Sequence, residues 1–336
     1  MVILTNCLNE KSDEGCLNVA NSLIKRMKAQ SPETTVISYE NRTAQSDLHM
    51  ELNKLFGNPG LFRFLKKKKQ PVLYIPFSSN TTASIVRTWM LALFSGCKIY
   101  VLFVLRHPMN GIFRKILQWS KATIITLSQE SYQFFQSELK NETRRIKAGV
   151  DVQKFVPVEP ERKVQLRKRY GIGEHEKVLL HVGHLKEGRN LRALLNTPDD
   201  YRLILVISTL QEQDQQLRQQ LQLRPNTLIL DTYQEHIEQI YQISDVYVFP
   251  VLQAGNCIDV PLSALEAAAC GIPVVATDYG ELKELMNKDG FVPITSFDAE
   301  PFGALLDRVC QEKTSGRQSV LEYDWNVAVK KLLECL

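Results

Sequence analysis

The stretch DVPLSALEAAACGIPVVATD, residues 259–278, decides the fold. Pro261 suits the first turn of a helix and Gly271 its end, and IPVVAT then reads as a buried strand. A helix beginning at Pro261–Ser263 turns free N–H groups and a positive dipole end towards an anion. Glu266 sits one turn further, inside an otherwise apolar run of Leu265, Ala267, Ala268 and Ala269. A carboxylate there needs a partner, because burying an unpaired one is costly. Ribose hydroxyls satisfy it, and so does a structural salt bridge.

Working outward, apolar runs alternate with helical patterns, as in parallel βαβ construction. In the first half Val2–Thr5, Val36–Tyr39, Val72–Ile75, Ile99–Leu105 and Thr123–Leu127 read as strands, separated by helices such as Leu17–Met27, Thr81–Phe94, Ile112–Trp119 and Tyr132–Leu139. In the second half Val178–Val182, Arg202–Ile207, Thr227–Leu230, Val246–Phe249 and Pro273–Ala276 read as strands. Leu191–Leu195, Gln211–Leu221, His236–Ile243, Pro261–Cys270 and Glu281–Met286 read as helices. The expected fold is α/β, two Rossmann-like doubly wound parallel sheets facing across a cleft. Residues 1–150 form an acceptor-side domain and 151–320 a donor-binding domain, joined by a linker at Ala148–Glu161. The helix in 321–336 is expected to cross back to the first domain.

The 336 residues are 44% hydrophobic and 23% charged, a soluble globular balance. Seven irregularly spaced cysteines without a C-x-x-C pair argue against a disulfide framework and a zinc site, and for a reducing cytoplasm. Glu10, Asp13 and Glu14 interrupt any secretory signal, and Ser95, Gly96 and Lys98 break the most apolar stretch. Charge is uneven: residues 1–150 hold 21 Lys and Arg against 10 Asp and Glu, the remainder 20 against 27. Such asymmetry points to an anionic partner for one lobe, or to drift of solvated charge. LFRFLKKKKQ (61–70) places Lys66, Lys67, Lys68 and Lys69 beside aromatic and Leu side chains, which suits an anionic membrane surface or a phosphate-bearing carrier. A solvated helix end is the plainer alternative. Nucleic acid is not an expected partner, since no matching module occurs.

Neither G-x-x-x-x-G-K-[ST] nor G-x-G-x-x-G after the first strand is present, which disfavours P-loop NTPases and standard dinucleotide dehydrogenases. Asp-x-Asp is also absent, so a metal–diphosphate clamp has no obvious ligands. In HVGHLKEGRNLRALL (181–195) a strand ends at Gly183, and a basic loop of His184, Lys186 and Arg189 leads into a helix near Asn190. Arg supplies a forked, permanent charge suited to phosphate.

Together KAGVDVQKF (147–155), VLLHVGHLKEGRN (178–190), IYQISDVYVFP (240–250) and LEAAACGIPVVATDYGELKEL (265–285) resemble four ordered motifs of the retaining GT-B glycosyltransferases of family 4. The resemblance implies transfer from a nucleoside-diphosphate sugar with retention, without a metal or other cofactor, to a glycan, lipid-linked or small-molecule acceptor. It assigns Arg189 to the family's diphosphate-binding Lys and Glu266 to the second Glu of its Glu–seven–Glu pair, a clamp on the donor ribose. Gly183, His184, Lys186, Leu262 and Ser263 join them on the donor side. Gly15 takes the place of the glycine loop after the first strand, and His107 that of a His facing sugar and acceptor. Two departures stand out. Ile258 replaces the first Glu, with Asp259 adjacent as a substitute if the loop shifts, and His184 replaces an Arg. They favour the alternative of a catalytically silent GT-B-like partner subunit; Glu266, Arg189 and the small-residue helix favour activity. A nucleotide-sugar epimerase is a third reading, without assignable acid and base.

Overall fold

Val2–Thr5 (β1) is a four-residue apolar run buried along its whole length, and it begins a sheet built entirely of parallel pairs. The computed structural model describes residues 1–9, 14–53, 58–208, 213–253, 255, 257–312 and 314–336. They form two units: Met1–Ala148 with Ile258–Val260 and Trp325–Leu336, and Gly149–Cys257 with Pro261–Asp324.

In the first unit β1 is followed by α1 (Gly15–Gln30), β2 (Thr35–Ser38), β3 (Leu48–His49), α2 (Pro59–Lys68), β4 (Val72–Ile75) and α3 (Thr82–Ser95). Then come β5 (Ile99–Phe103), α4 (Gly111–Ser120), β6 (Thr123–Thr126), α5 (Gln129–Glu138) and β7 (Thr143–Arg145). The strand order is β3-β2-β1-β4-β5-β6-β7, so the winding reverses between β1 and β4. Side-chain caps start three helices: Asn58 accepts from Gly60 N–H, Asn110 from Phe113 N–H and Ser128 from Ser131 N–H.

The second unit contains β8 (Lys177–Gly183), β9 (Tyr201–Ile207), β10 (Thr227–Leu230), β11 (Val246–Phe249), β12 (Val274–Ala276) and β13 (Phe291–Pro293). Around them lie α6 (Pro160–Arg169), α7 (Gln215–Leu223), α8 (Ile237–Ile243), α9 (Leu262–Ala269), α10 (Ala299–Glu312) and α11 (Arg317–Val320). All pairs are again parallel, in the order β10-β9-β8-β11-β12-β13, and the winding reverses between β8 and β11. Leu179, Leu203, Leu205, Val246 and Val248 from this sheet pack with Phe302, Leu306 and Val309 of α10.

The last helix, α12 (Trp325–Cys335), belongs to the first unit, where it packs on α1. Gln30 donates to the Asn326 carbonyl at 3.2 Å and Arg144 to that of Cys335 at 2.7 Å. Ile258–Val260, read from sequence as part of the second domain, is a three-residue loop segment that groups with the first unit. Leu191–Asn196 and Gly280–Glu284 are 3-10 turns where the sequence suggests α-helices. The expected start of α7 at Gln211 lies outside the described residues. No helix among the described residues is long and apolar enough to cross a membrane.

Candidate functional site

Ligands of open parallel sheets bind beyond the carboxyl ends of the strands, where the winding reverses. In the second unit that point lies between β8 and β11, and the loops following these two strands are Gly183–Asn190 and the segment leading into α9. Arg189 lies largely buried over Gly183: a Cβ added to Gly183 meets Arg189 Nη1 at 2.6 Å and His181 Nε2 at 3.2 Å. Gly183 therefore leaves the room that the guanidinium occupies. Asn190 closes the loop in the left-handed conformation (φ 56°), where a short amide side chain is tolerated.

His184 is buried and lies in the same loop. Lys186 instead lines an open cavity of about 750 Å³, with Asn190, Arg192, Asp214 and Gln253 among its other walls; Gly183, Arg189 and Glu266 do not line it. Lys186 and Arg189 share one turn, in which the Arg189 N–H donates to the Lys186 carbonyl at 3.3 Å.

At the other loop, α9 begins after Pro261, with Leu262 and Ser263 half-buried in its first turn. The first N–H groups of a helix lack intrahelical acceptors, so this end is a donor surface. Ser263 accepts the Tyr247 hydroxyl at 2.7 Å, and Glu266 Oε2 accepts that of Tyr241 at 2.7 Å. Burial pushes the Glu266 carboxyl up to about 7, only partly opposed by the Tyr241 hydroxyl and the Lys154 charge. Its partner within the protein is therefore the Tyr241 hydroxyl and not the salt bridge offered from sequence.

Sequence reasoning missed His181 and the two tyrosines. His181 lies in the middle of the central strand, stacked on Tyr247, and its Nδ1 hydrogen-bonds the Val248 carbonyl at 2.9 Å. Burial, and then the nearby Arg189 charge, lower its pKa to about 4. Neutral imidazole with Nδ1–H on Val248 leaves Nε2 as an acceptor, and that atom has no hydrogen-bond partner among the described residues. The available signal was a histidine inside the apolar run VLLHVG of β8.

In the first unit the same topological position, between β1 and β4, is furnished differently. Gly15 is the first residue of α1, and a Cβ there meets Ile258 Cδ1 at 3.1 Å. Ile258 fills the space over that glycine. Asp259 does not take the place of a sugar-contacting Glu, as the sequence suggested. Its carboxylate is buried against α5, bonded to the Ser131 hydroxyl, with Ser128 Oγ and Arg106 Nη1 each at 3.5 Å. Burial raises its pKa, against the Ser131 hydrogen bond and the Arg106 charge. Arg106 also pairs with Glu130 at 2.8 Å. His107 is half-buried, and Asn80 holds its backbone from both sides, accepting from the His107 N–H at 2.8 Å and donating to its carbonyl at 2.6 Å.

Residues 176–312 match the family described as "Glycosyl transferases group 1". The fold is the GT-B fold, and the family match covers less than half of the chain. Over 208 residues it is 24% identical to a GDP-mannose-dependent monoacylated alpha-(1-6)-phosphatidylinositol monomannoside mannosyltransferase from Corynebacterium glutamicum, covering 56% of this chain and 54% of that protein. It is 29% identical over 133 residues to N-acetyl-alpha-D-glucosaminyl L-malate synthase from Bacillus anthracis, covering 36% and 32%. The chain thus aligns with about half or less of the length of these relatives. Among solved structures, a glycosyltransferase from Rickettsia africae superposes with a TM-score of 0.78 at 16% identity, covering 99% of this chain and 97% of that one. Anabaena HepE in complex with UDP and glucose does so with a TM-score of 0.73 at 16% identity, covering 99% and 98%.

Proposed function

We propose that this chain transfers a sugar from a nucleoside-diphosphate sugar to a glycan, lipid-linked or small-molecule acceptor, with retention at the anomeric carbon and without a metal. The observation that carries the reading is the second unit's switch point, where one loop holds Arg189 over Gly183 and the other leads to Glu266 and the N-terminus of α9. A leaving diphosphate develops negative charge, and a fixed guanidinium together with a helix N-terminus stabilises that charge without reorganisation. Ribose hydroxyls donate to Glu266 once its proton is gone, so donor binding and ionisation of this carboxyl are coupled. UDP and glucose bound to HepE support a nucleoside diphosphate as the leaving group. His107, its backbone held by Asn80, is the candidate for facing the acceptor.

The silent-subunit reading has its own observation: Ile258 and Asp259 are committed to packing and hydrogen bonding in the first unit. Thermal unfolding with UDP, GDP and ADP and their sugars separates the two. Ligand at a hundred times its dissociation constant adds about 2.7 kcal/mol of stability. A shift lost in Glu266→Ala, together with an isolated glycoside product, supports the transferase. A shift without any glycoside or donor hydrolysis favours the silent subunit, and an isomeric sugar nucleotide would identify an epimerase.

A further inference from the structure

The ladder between β8 and β11, the strands that flank the second unit's reversal point, pairs Val246 with Leu179 and Tyr247 with Leu180 and ends there. The next residues along, His181 and Val248, are joined by a side chain instead: His181 Nδ1 lies 2.9 Å from the Val248 carbonyl. That contact accounts for one half of the imidazole. The other half has no such account. Nε2 meets no hydrogen-bond partner among the described residues, in a side chain only 1% exposed. Leaving a buried acceptor unpaired is costly, and phenylalanine would fill similar space without that cost.

Nε2 lies against the space over Gly183. His181 precedes that glycine by two residues and shares its face of β8. A Cβ added to Gly183 would lie 3.2 Å from Nε2 and 2.6 Å from Arg189 Nη1, so the bare acceptor and the guanidinium flank one small space. Tyr247 holds the ring in this orientation: the two rings stack with centroids 6.3 Å apart, and the Tyr247 hydroxyl is itself bonded to Ser263 at 2.7 Å. Burial, and then the Arg189 charge, lower the His181 pKa to about 4, so the ring is neutral and Nε2 accepts. A guanidinium carries five N–H donors. A diphosphate takes two of them as a fork, and the plane of that fork can turn unless a further N–H is held.

We propose that His181 is a positioning residue for Arg189: when a nucleoside diphosphate binds, the guanidinium donates one N–H to His181 Nε2 and presents its remaining donors to the diphosphate in a fixed plane. This role rests on the donor-site reading and adds a residue which that reading does not use. His181 then has two tasks, tying β11 to β8 through Nδ1 and orienting a charge through Nε2. Outer partners that fix the orientation of a binding side chain are a general device of polar sites.

The nitrogen-15 resonance of Nε2 reads the contact directly, in the whole wild-type chain labelled at its six histidines. The His181 signal is assigned by its loss in His181→Asn. UDP, GDP and ADP are added in turn, and saturation with whichever binds is expected to move the Nε2 signal upfield, as a bare ring nitrogen does on accepting a hydrogen bond. Affinity from titration calorimetry is the second readout. Asparagine can keep the bond to Val248 but stops short of the Nε2 position, whereas glutamine places its amide oxygen there. His181→Asn is expected to lose about tenfold in diphosphate affinity, the worth of one hydrogen bond to a charged group, and His181→Gln to stay within about threefold of the wild type. In the Arg189→Ala background the same Asn substitution should change affinity by less than about twofold. Unfolding temperatures without ligand report the stability of each variant separately. An Nε2 signal unmoved at saturation, equal losses in Asn and Gln, or a loss that persists without Arg189 would each overturn the role of His181 while leaving the donor site standing. A wild-type chain that binds none of the three diphosphates overturns the donor-site reading, and this role with it.

Discussion

The two units share one topology and differ in what stands at its reversal point. In the second unit that point carries Arg189, Glu266, His181 and two tyrosine hydroxyls. In the first, Ile258 covers Gly15, and Asp259 is tied to α5 through Ser131. A doubly wound sheet thus supplies a place for ligand chemistry, and the loops decide whether it is used for binding or packing.

Arg189→Ala should show the largest effect, a loss of about 10²- to 10³-fold in kcat/KM for the donor, because one fixed donor to the developing charge is removed. Steady-state rates at varied donor concentration check this, and an unchanged kcat/KM would end the claim that the second unit holds the donor site. Asp259→Ala removes the buried partner of Ser131 and Arg106, and about 2 kcal/mol of stability should go with it. Nucleotide affinity should hold, as calorimetry of both properties would reveal. Lost turnover at unchanged stability would instead return Asp259 to a catalytic role.

Gly183→Ala is a finer probe. The atom it would crowd is the tip of Arg189, which can swing away, so Tm should hardly move while donor affinity falls about tenfold. A large drop in Tm with intact affinity would mean that the glycine serves the backbone alone.

The smallest effect is one of slope. Glu266 is raised from 4.5 to about 7 in the folded chain, so the native state holds the extra proton between those values. Its contribution is greatest at low pH and is lost as pH rises through about 4.5 to 7. His181, lowered from 6.5 to about 4, has the opposite sign: its contribution is present above 6.5 and lost as pH falls through that window. Stability of Glu266→Gln should accordingly rise more steeply with pH than that of the wild type across pH 4.5–6.5. Donor binding to the wild type should release a proton near pH 6, seen as buffer-dependent heat, and the variant should release none.

Short, mainly apolar strands were readable from sequence because inner strands of a parallel sheet bury both faces: β1, β4 and β11 match their expected ranges, and so does the half-buried edge strand β10. Leu48–His49 and Thr143–Arg145 are short edge strands of mixed polarity and carry no such run. PERKVQLRKR forms α6 although only Leu166 and Arg167 are buried, so no apolar stripe marks it off from a linker. Within the site, Gly183, Arg189 and Glu266 were visible because each breaks a local pattern. The place of Asp259 was not: its partners Ser128 and Ser131 lie some 130 residues away, a distance that no local pattern spans.

The first unit is made of three separate pieces of chain, and its last helix, α12, packs on its first, α1. During synthesis the domain begun earliest must therefore be completed last. Until residues 325–335 leave the ribosome, the side of α1 that α12 covers stays uncovered, while every residue of the second unit has already been made. Chain order and order of assembly run in opposite directions here, and a truncation that removes only the final helix should injure the opposite end of the sequence.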